Sequence, residues 1–464
     1  MSNFFISVKF GGTSMGSAES ILECAEIIKE KLKKYSPVIT VSAVAGVTNE
    51  LATLIELAKK QKPRRVRSRI AFLKKQHENI LKKIAPQNKL EHIWQQDFLP
   101  LFSKLETILL GTSLVGDITQ KTAARILSFG EKLSSHLMVQ ALNKIKIANT
   151  RIEAEKIIKT DSGYLEANVK FKATNAACRK AIKPLLTKKV IPIVTGFIGK
   201  DTHGNTTLLG RGGSDYTAAI LAIGIDAKKI EIWTDVNGIM STDPKIVTHA
   251  ISWPVLDMST VAEMAYSGAK VIHPKSITAA IQKNIPVYIL NTFNRNFMGT
   301  KVVLQKTEGI KGIITSKNHV LLNIENPNML EAVGFLARLT NIAEGYNIPI
   351  DVCATSETTF TFSIKSKDYS LKFLKSLRNI ANVNVLKNIA KLSIIGNNIT
   401  KNTTLLSDIF MIFAKYQIII HTLSIGASTN NITILIDEIN SEKALKLLHQ
   451  KLIVYTTPKT KISG

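Results

Sequence analysis

From Phe5 to about Leu304, short β-branched runs alternate with longer amphipathic stretches, and this alternation limits the possible folds more than any other feature of the chain. Strands separated by helix-length segments predict an α/β domain built on a mostly parallel sheet. The strand candidates are residues 6–10, 38–42, 190–196, 229–234 and 287–290. Between about residues 60 and 145 the strand signal gives way to helical periodicity, which predicts a helical insertion able to cap a substrate cleft.

Past about residue 310 the pattern changes to an internal repeat. Strand 320–324, helix 332–346, strand 348–354 and strand 359–364 are followed, at an offset of roughly 70 residues, by strand 392–395, helix 403–415, strand 418–424, strand 432–436 and a helix near 441–451. The turns correspond as well: Ala354-Thr355-Ser356 in the first copy stands where Ala427-Ser428-Thr429 stands in the second. Two tandem units of this type read as a pair of small ferredoxin-like α+β modules. The expected domains are residues 1–304, 305–390 and 391–464, which suits a chain of 464 residues, too long for one core.

No apolar run is expected to reach the roughly 18 residues that span a bilayer, since charges such as Asp408 and Lys415 interrupt the most apolar C-terminal stretch. The N-terminus enters a strand-like run at once, without the basic, apolar and cleavage regions of a signal peptide, so a cytoplasmic location is expected, with no membrane partner. Cys24, Cys178 and Cys353 are odd in number and widely spaced, which suggests neither disulfides nor a zinc site; all three read as buried small hydrophobes, and no metal ligand set is expected. The net charge of +26 raises nucleic acid as a partner. Lysines are nevertheless spread along the whole chain, and no aromatic residues interleave with the densest basic run, residues 59–69, so the expectation is a solvated Lys-rich surface and no nucleic acid.

Three segments carry the candidate chemistry. Lys9-Phe10-Gly11-Gly12-Thr13-Ser14 places two glycines after a strand and before a helix, where backbone N–H groups approach phosphate oxygens and a lysine supplies a point charge. Gly210-Arg211-Gly212-Gly213-Ser214-Asp215 opens another helix; Arg211 suits a carboxylate, Ser214 adds a donor, and Asp215 is either functional or a helix cap. Trp233-Thr234-Asp235-Val236-Asn237-Gly238 runs from a strand into a polar loop, where open α/β sheets bind ligands. Farther on, in Ser267–Pro274, Lys270 suits nucleotide phosphates, and His273 is either structural or functional. Walker A and Gly-x-Gly-x-x-Gly sequences are both absent.

Together with Ser42-Ala43, Gly46-Val47-Thr48-Asn49, Phe129-Gly130-Glu131 and Thr195–Gly199, these motifs occur in an order that resembles the aspartate kinases of the amino-acid kinase superfamily over essentially the whole chain, and more closely the lysine-sensitive monofunctional type. The resemblance implies an amino-acid-kinase-type three-layer sandwich followed by two ACT domains, ATP and Mg²⁺ as cofactors, L-aspartate as substrate and 4-phospho-L-aspartate as product, feeding lysine, methionine and threonine synthesis. It implies that Lys9 and Asp215 are catalytic, that Ser42, Ala43, Thr48, Glu131, Arg211 and Ser214 hold aspartate, and that Lys9, Gly11, Gly12, Thr234, Asp235, Met240, Lys245, Lys270 and Val271 hold ATP. Met240 stands where a tyrosine is usual and Lys245 where an arginine is usual. It further implies an L-lysine effector site at Met329, Gly334, Phe335, Leu336, Asp351, Thr355, Ser356 and Glu357, in a homodimer formed through the ACT domains that can pair into a tetramer; Ala332 and Pro349 replace small polar residues there. Rival readings are a sister kinase acting on glutamate, carbamate or a nucleotide, which a substrate screen separates; a sensor that has lost turnover; and a nucleic-acid binder, which salt-dependent DNA retention would reveal.

Overall fold

The structure, a computed structural model, describes residues 4–269, 272, 274–326, 334–426 and 428–454. The chain divides into two compact units, the first made of Met1–Ile239 and Ile272–Leu304, the second of Met240–Val271 and Gln305–Gly464. The sequence pattern drew one boundary near residue 304. Residues 240–271 instead cluster with the second unit, because Ser241 Oγ lies 2.8 Å from the His449 ring and Trp253 Nε1 donates to the Lys311 carbonyl at 2.6 Å.

In the first unit the strands lie in the order Asn149–Ile152, Ile191–Thr195, Tyr35–Val41, Phe4–Phe10, Ile230–Thr234, Val287–Asn291 and Thr300–Val303. Neighbours are parallel except for the last pair. The central strand Phe4–Phe10 is buried on both faces over its last five residues, as a strand covered on both sides must be. Helices Ala18–Lys31 and Phe129–Lys144 pack on one another in one layer, and Phe171–Thr187, Gly213–Ile225 and Pro274–Gln282 make the other, which completes a three-layer sandwich.

The helical insertion is present as Val47–Lys59, Pro63–Ile84, Leu99–Val115 and Gln120–Leu127, leading into Phe129–Lys144. Pro63–Ile84 buries Val66, Ile70, Leu73, His77, Ile80, Leu81 and Ile84, a stripe spaced three and four apart that faces Phe98, Phe102 and Leu105 in the core. Contrary to the expectation that no apolar run reaches such a length, the helical stretch Gln87–Val115 is long and apolar enough to cross a membrane by length and composition. Its apolar side, Phe98, Phe102, Leu105 and Leu109, is spent on the core of the unit, and Lys104 and Glu106 lie within it.

The second unit carries a six-stranded sheet in the order Cys353–Thr355, Thr359–Lys365, Gly309–Glu325, Asn382–Asn397, Asn431–Asp437, Thr422–Ser424. Its two long central strands each serve two cores. One core draws Val320, Leu322 and Ile324 together with helices Phe335–Gly345 and Leu371–Arg378. The other draws Ile313 together with Leu392, Ile394 and helices Thr403–Lys415 and Ser441–His449. The modules are therefore interleaved: the start of Gly309–Glu325 completes the second module, while its end opens the first.

The strands expected at 348–354 and 418–424 shrink to Cys353–Thr355 and Thr422–Ser424. In both copies the chain leaves its helix through a left-handed residue, Asn347 (φ 54) and Gln417 (φ 51), and the following residues complete that exit. Helix Leu371–Arg378, capped by the Ser370 side chain on the Phe373 N–H, escaped the sequence pattern because it is only 8 residues long. Cys24 and Cys178 are buried as expected, but Cys353 is exposed, since it begins an edge strand.

Candidate active site

The sheet order brings four motifs to one edge of the first unit. Phe10, Val41, Thr195 and Thr234 end four adjacent parallel strands, so the segments that follow them emerge side by side at the carboxyl edge. A cleft of about 560 Å³ opens there, lined by Lys9, Gly12, Ser42 to Gly46, Thr48, Glu131, Phe197 and Gly210 to Asp215, with Leu127, Leu165 and Leu208. The cleft thus unites Lys9, Asp215, Ser42, Ala43, Thr48, Glu131, Arg211 and Ser214, residues spread over 207 positions of sequence from Lys9 to Ser214 and Asp215.

Lys9 is only 8% exposed, held by strand pairing on both sides, and its Nζ lies 2.6 Å from Asp215 Oδ1. Asp215 sits in the first turn of helix Gly213–Ile225, whose N-cap Gly212 adopts a left-handed φ of 71 and offers no capping side chain. Asp215 therefore faces Lys9 across the cleft floor, and the N-terminal residues of that helix, Gly213 to Asp215, line the same space, where the helix dipole favours an anion. Gly11 packs directly beside the ammonium: a Cβ there would stand 3.6 Å from Lys9 Nζ and 3.4 Å from the Trp233 carbonyl, which the Gly11 N–H already engages at 3.0 Å.

Gly196 is required by close approach, because a Cβ would come within 2.7 Å of the Val41 carbonyl and 2.8 Å of Ser214 Cβ. Its neighbour Phe197 is held at φ 70, with its N–H on Thr217 Oγ1 and its carbonyl on the Leu209 N–H. A left-handed aromatic residue at a cleft wall stores backbone strain, and the surrounding bonds hold it there. Phe197, Leu165 and Leu208 are lining residues that sequence reasoning assigned no role. The Thr195–Gly199 motif was the available signal for Phe197.

Glu131 occupies the first turn of Phe129–Lys144 and is 4% exposed. Burial pushes its carboxyl up to about 8, against the pull of its own and the Ala43 backbone N–H groups and the charge of Lys9. Its Oε2 has no hydrogen-bond partner among the described residues. The wall near it is fixed by Ser134, whose hydroxyl donates to the Ser42 carbonyl at 2.6 Å. Such a site offers a buried carboxyl with an unpartnered oxygen, an exposed Arg211, and a floor ammonium: it can hold a zwitterionic amino acid and present a second anion to Lys9.

Thr234 and Asp235 end the strand beside Lys9 and hydrogen-bond one another at 3.1 Å, outside the cleft lining; Asn291 and Asn237 tie the loop beyond them at 2.7 Å. Met240 and Lys245 belong to the second unit, where the Lys245 N–H caps onto Asp243 at 2.9 Å. Lys270, Val271, His273, Met329 and Ala332 lie outside the described residues. No cluster of three or more potential metal ligands occurs among the described residues.

The effector candidates lie in the first module of the second unit. Gly334 (φ 84) opens helix Phe335–Gly345, with Phe335 buried and Leu336 exposed. Thr355 and Ser356 form a turn closed by the Ser356 N–H on the Thr359 carbonyl. Asp351 is engaged from within the chain, since Lys391 Nζ lies 2.7 Å from each of its oxygens.

The amino acid kinase family matches residues 5–291, and an ACT domain matches residues 392–452. The chain is 32% identical to aspartokinase 1, chloroplastic, of Arabidopsis thaliana over 461 residues, covering 96% of this chain and 79% of that protein. It is 29% identical to lysine-sensitive aspartokinase 3 of Escherichia coli, over 97% of this chain and the whole of that protein. The crystal structure of E. coli aspartokinase III in complex with lysine and aspartate superposes with a TM-score of 0.83 at 27% identity, covering 97% of this chain and 99% of that one. The same enzyme in complex with aspartate and ADP gives 0.81, covering 96% and 99%.

Proposed function

The chain belongs to the amino acid kinase family, as one of its aspartokinases, and we propose that its cleft transfers the γ-phosphoryl group of ATP to the β-carboxylate of L-aspartate. The observation that carries the reading is the Lys9–Asp215 pair at the floor of a cleft that also holds Arg211 and the buried Glu131, whose Oε2 has no hydrogen-bond partner among the described residues.

The α-carboxylate of aspartate pairs with Arg211, and its ammonium supplies Glu131 with the counter-charge that burial withholds. The β-carboxylate has an ordinary pKa near 3.9 and is ionised at neutral pH, so it attacks phosphorus without a general base. What the reaction needs is positioning of two anions and neutralisation of the transferring group. Lys9 supplies the charge, and Asp215 fixes where that charge sits. The backbone N–H of Gly12, in the cleft lining, adds a donor at the same edge, whereas those of Gly11 and Gly213 are taken by the Trp233 and Gly210 carbonyls. A Mg²⁺ ion arrives with the nucleotide as part of the substrate; Asp215 is committed to Lys9, Glu131 holds its proton, and these residues do not make a resident cage. Thr234 and Asp235, with Met240, Lys245, Lys270 and Val271, are the proposed nucleotide contacts. L-Lysine is the proposed effector, at Gly334, Phe335, Leu336, Asp351, Thr355 and Ser356 with Met329, in a homodimer formed through the ACT modules.

Acyl phosphate trapped as the hydroxamate tests this reading. Turnover requiring both ATP and L-aspartate is expected, and Lys9→Met should lower kcat by about 10²–10³, the usual effect of removing one transition-state charge donor. Glutamate or carbamate serving better than aspartate would move the chain to a sister activity. A folded chain without turnover would favour the sensor.

A further inference from the structure

Asp351, the carboxylate of the proposed effector site suited to the effector's ammonium, already holds an ammonium from within the chain. Lys391 projects from Asn382–Asn397, its side chain only 8% exposed, and lies 2.7 Å from both oxygens of Asp351, whose side chain is 31% exposed. An ammonium this far from water needs a counter-charge, and a bidentate carboxylate is a strong one. A second lysine stands close by: Lys365 Nζ is 2.6 Å from Ser316 Oγ and 2.8 Å from His319 Nε2, while His319 Nδ1 is 3.7 Å from Asp351. Burial, and then the charge of Lys365, hold His319 down at about 4, so it adds no charge at neutral pH. Lys391, Lys365 and Asp351 therefore bring together two ammonium groups and one carboxylate, so the one negative charge is already matched before a third cation arrives.

We infer that Lys391 occupies, from within the chain, the ammonium position of the effector site, so that free L-lysine enters only by displacing it. The inference rests on the effector reading proposed above. The tethered group and the ligand group are chemically identical, and the tethered one is present at high effective concentration. Displacing it also leaves a nearly buried ammonium without its partner, which is unfavourable in itself. Both effects weaken the response to free lysine. Lys391 thus sets the threshold of the site, while Asp351 remains the acceptor.

The test is a titration of aspartokinase turnover with L-lysine, on the full chain and on Lys391→Met, which keeps length and removes charge. Half-inhibition of Lys391→Met at a lysine concentration at least tenfold below that of the unaltered chain is expected, and adding Asp351→Asn to that variant should abolish the gain. Half-inhibition within twofold of the unaltered chain overturns the displacement while leaving the effector site standing. No inhibition of either active chain overturns both readings. If Lys391→Met fails to fold alone, millimolar L-lysine should restore its fold, read as a cooperative melting transition, where the same concentration of sodium chloride does not; failure of that rescue also overturns the inference.

Discussion

Glu131, the proposed partner of the substrate's ammonium, ties that proposed contact to stability through its burial. Its folded-state value of about 8 lies above the ordinary 4.5, so its contribution to stability is fully present below pH 4.5 and is lost as pH rises toward 8. Glu131→Gln removes that titration. Its melting temperature relative to the parent should therefore rise between pH 5 and pH 8.5, by an amount equivalent to on the order of a few kcal/mol; an unchanged difference across that range would remove the argument. The same shift predicts that aspartate binding near pH 7 releases a proton from Glu131, visible in calorimetry as a binding enthalpy that depends on the buffer's ionisation heat. An enthalpy independent of buffer would mean that the carboxyl has the same protonation in the empty and the occupied cleft, and would sink the proton-release argument. Lys9, Arg211 and Asp215 stood out in the sequence because glycines and charges clustered at strand-to-helix junctions. The depth of Glu131 did not stand out, since burial is a property of everything folded around a residue.

At the scale of elements, the helical insertion carries a buried histidine with a defined pH dependence. His77 packs edge-on against Phe102, and its Nδ1–H donates to the Leu73 carbonyl, 2.8 Å away. Burial holds its pKa down at about 4. The unfolded chain takes up the proton near 6.5, so the stability His77 contributes is fully present above pH 6.5 and is lost as pH falls from there toward 4. His77→Leu should flatten the fall in melting temperature between pH 7 and pH 4.5, even where it shifts the curve as a whole. An equally steep fall in the variant would place the acid sensitivity elsewhere. Long elements with a strong apolar stripe, such as Pro63–Ile84 and Thr403–Lys415, were legible in the sequence because their period repeats over several turns. Leu371–Arg378 and Asn149–Ile152 were not, since four to eight residues hold too few repeats to declare a period.

For the whole molecule, the interleaving of the two regulatory modules makes one strand pair decisive. Ile313 and Ile394 face each other in the register of Gly309–Glu325 on Asn382–Asn397, and both are fully buried in the second module's core. Ile313→Ala should destabilise that module by about 2–5 kcal/mol, as buried large-to-small changes do. A double-mutant cycle with Ile394→Ala should show coupling of about 0.5–3 kcal/mol; additive effects in denaturant melts would mean that the start of the strand does not belong to that core. The sequence by itself determined the parallel α/β class, the helical insertion, the two-fold regulatory repeat and the glycine-rich segments of the cleft, because periodicity and backbone-permissive residues are local properties. Tertiary structure decided that residues 240–271 cluster with the second unit, that a strand beginning at Gly309 completes a module whose other elements start near residue 389, and that Asp351 is already paired with Lys391. Each of these depends on which distant segments meet, and the pairing of buried charges and core faces is settled only when the chain has closed on itself.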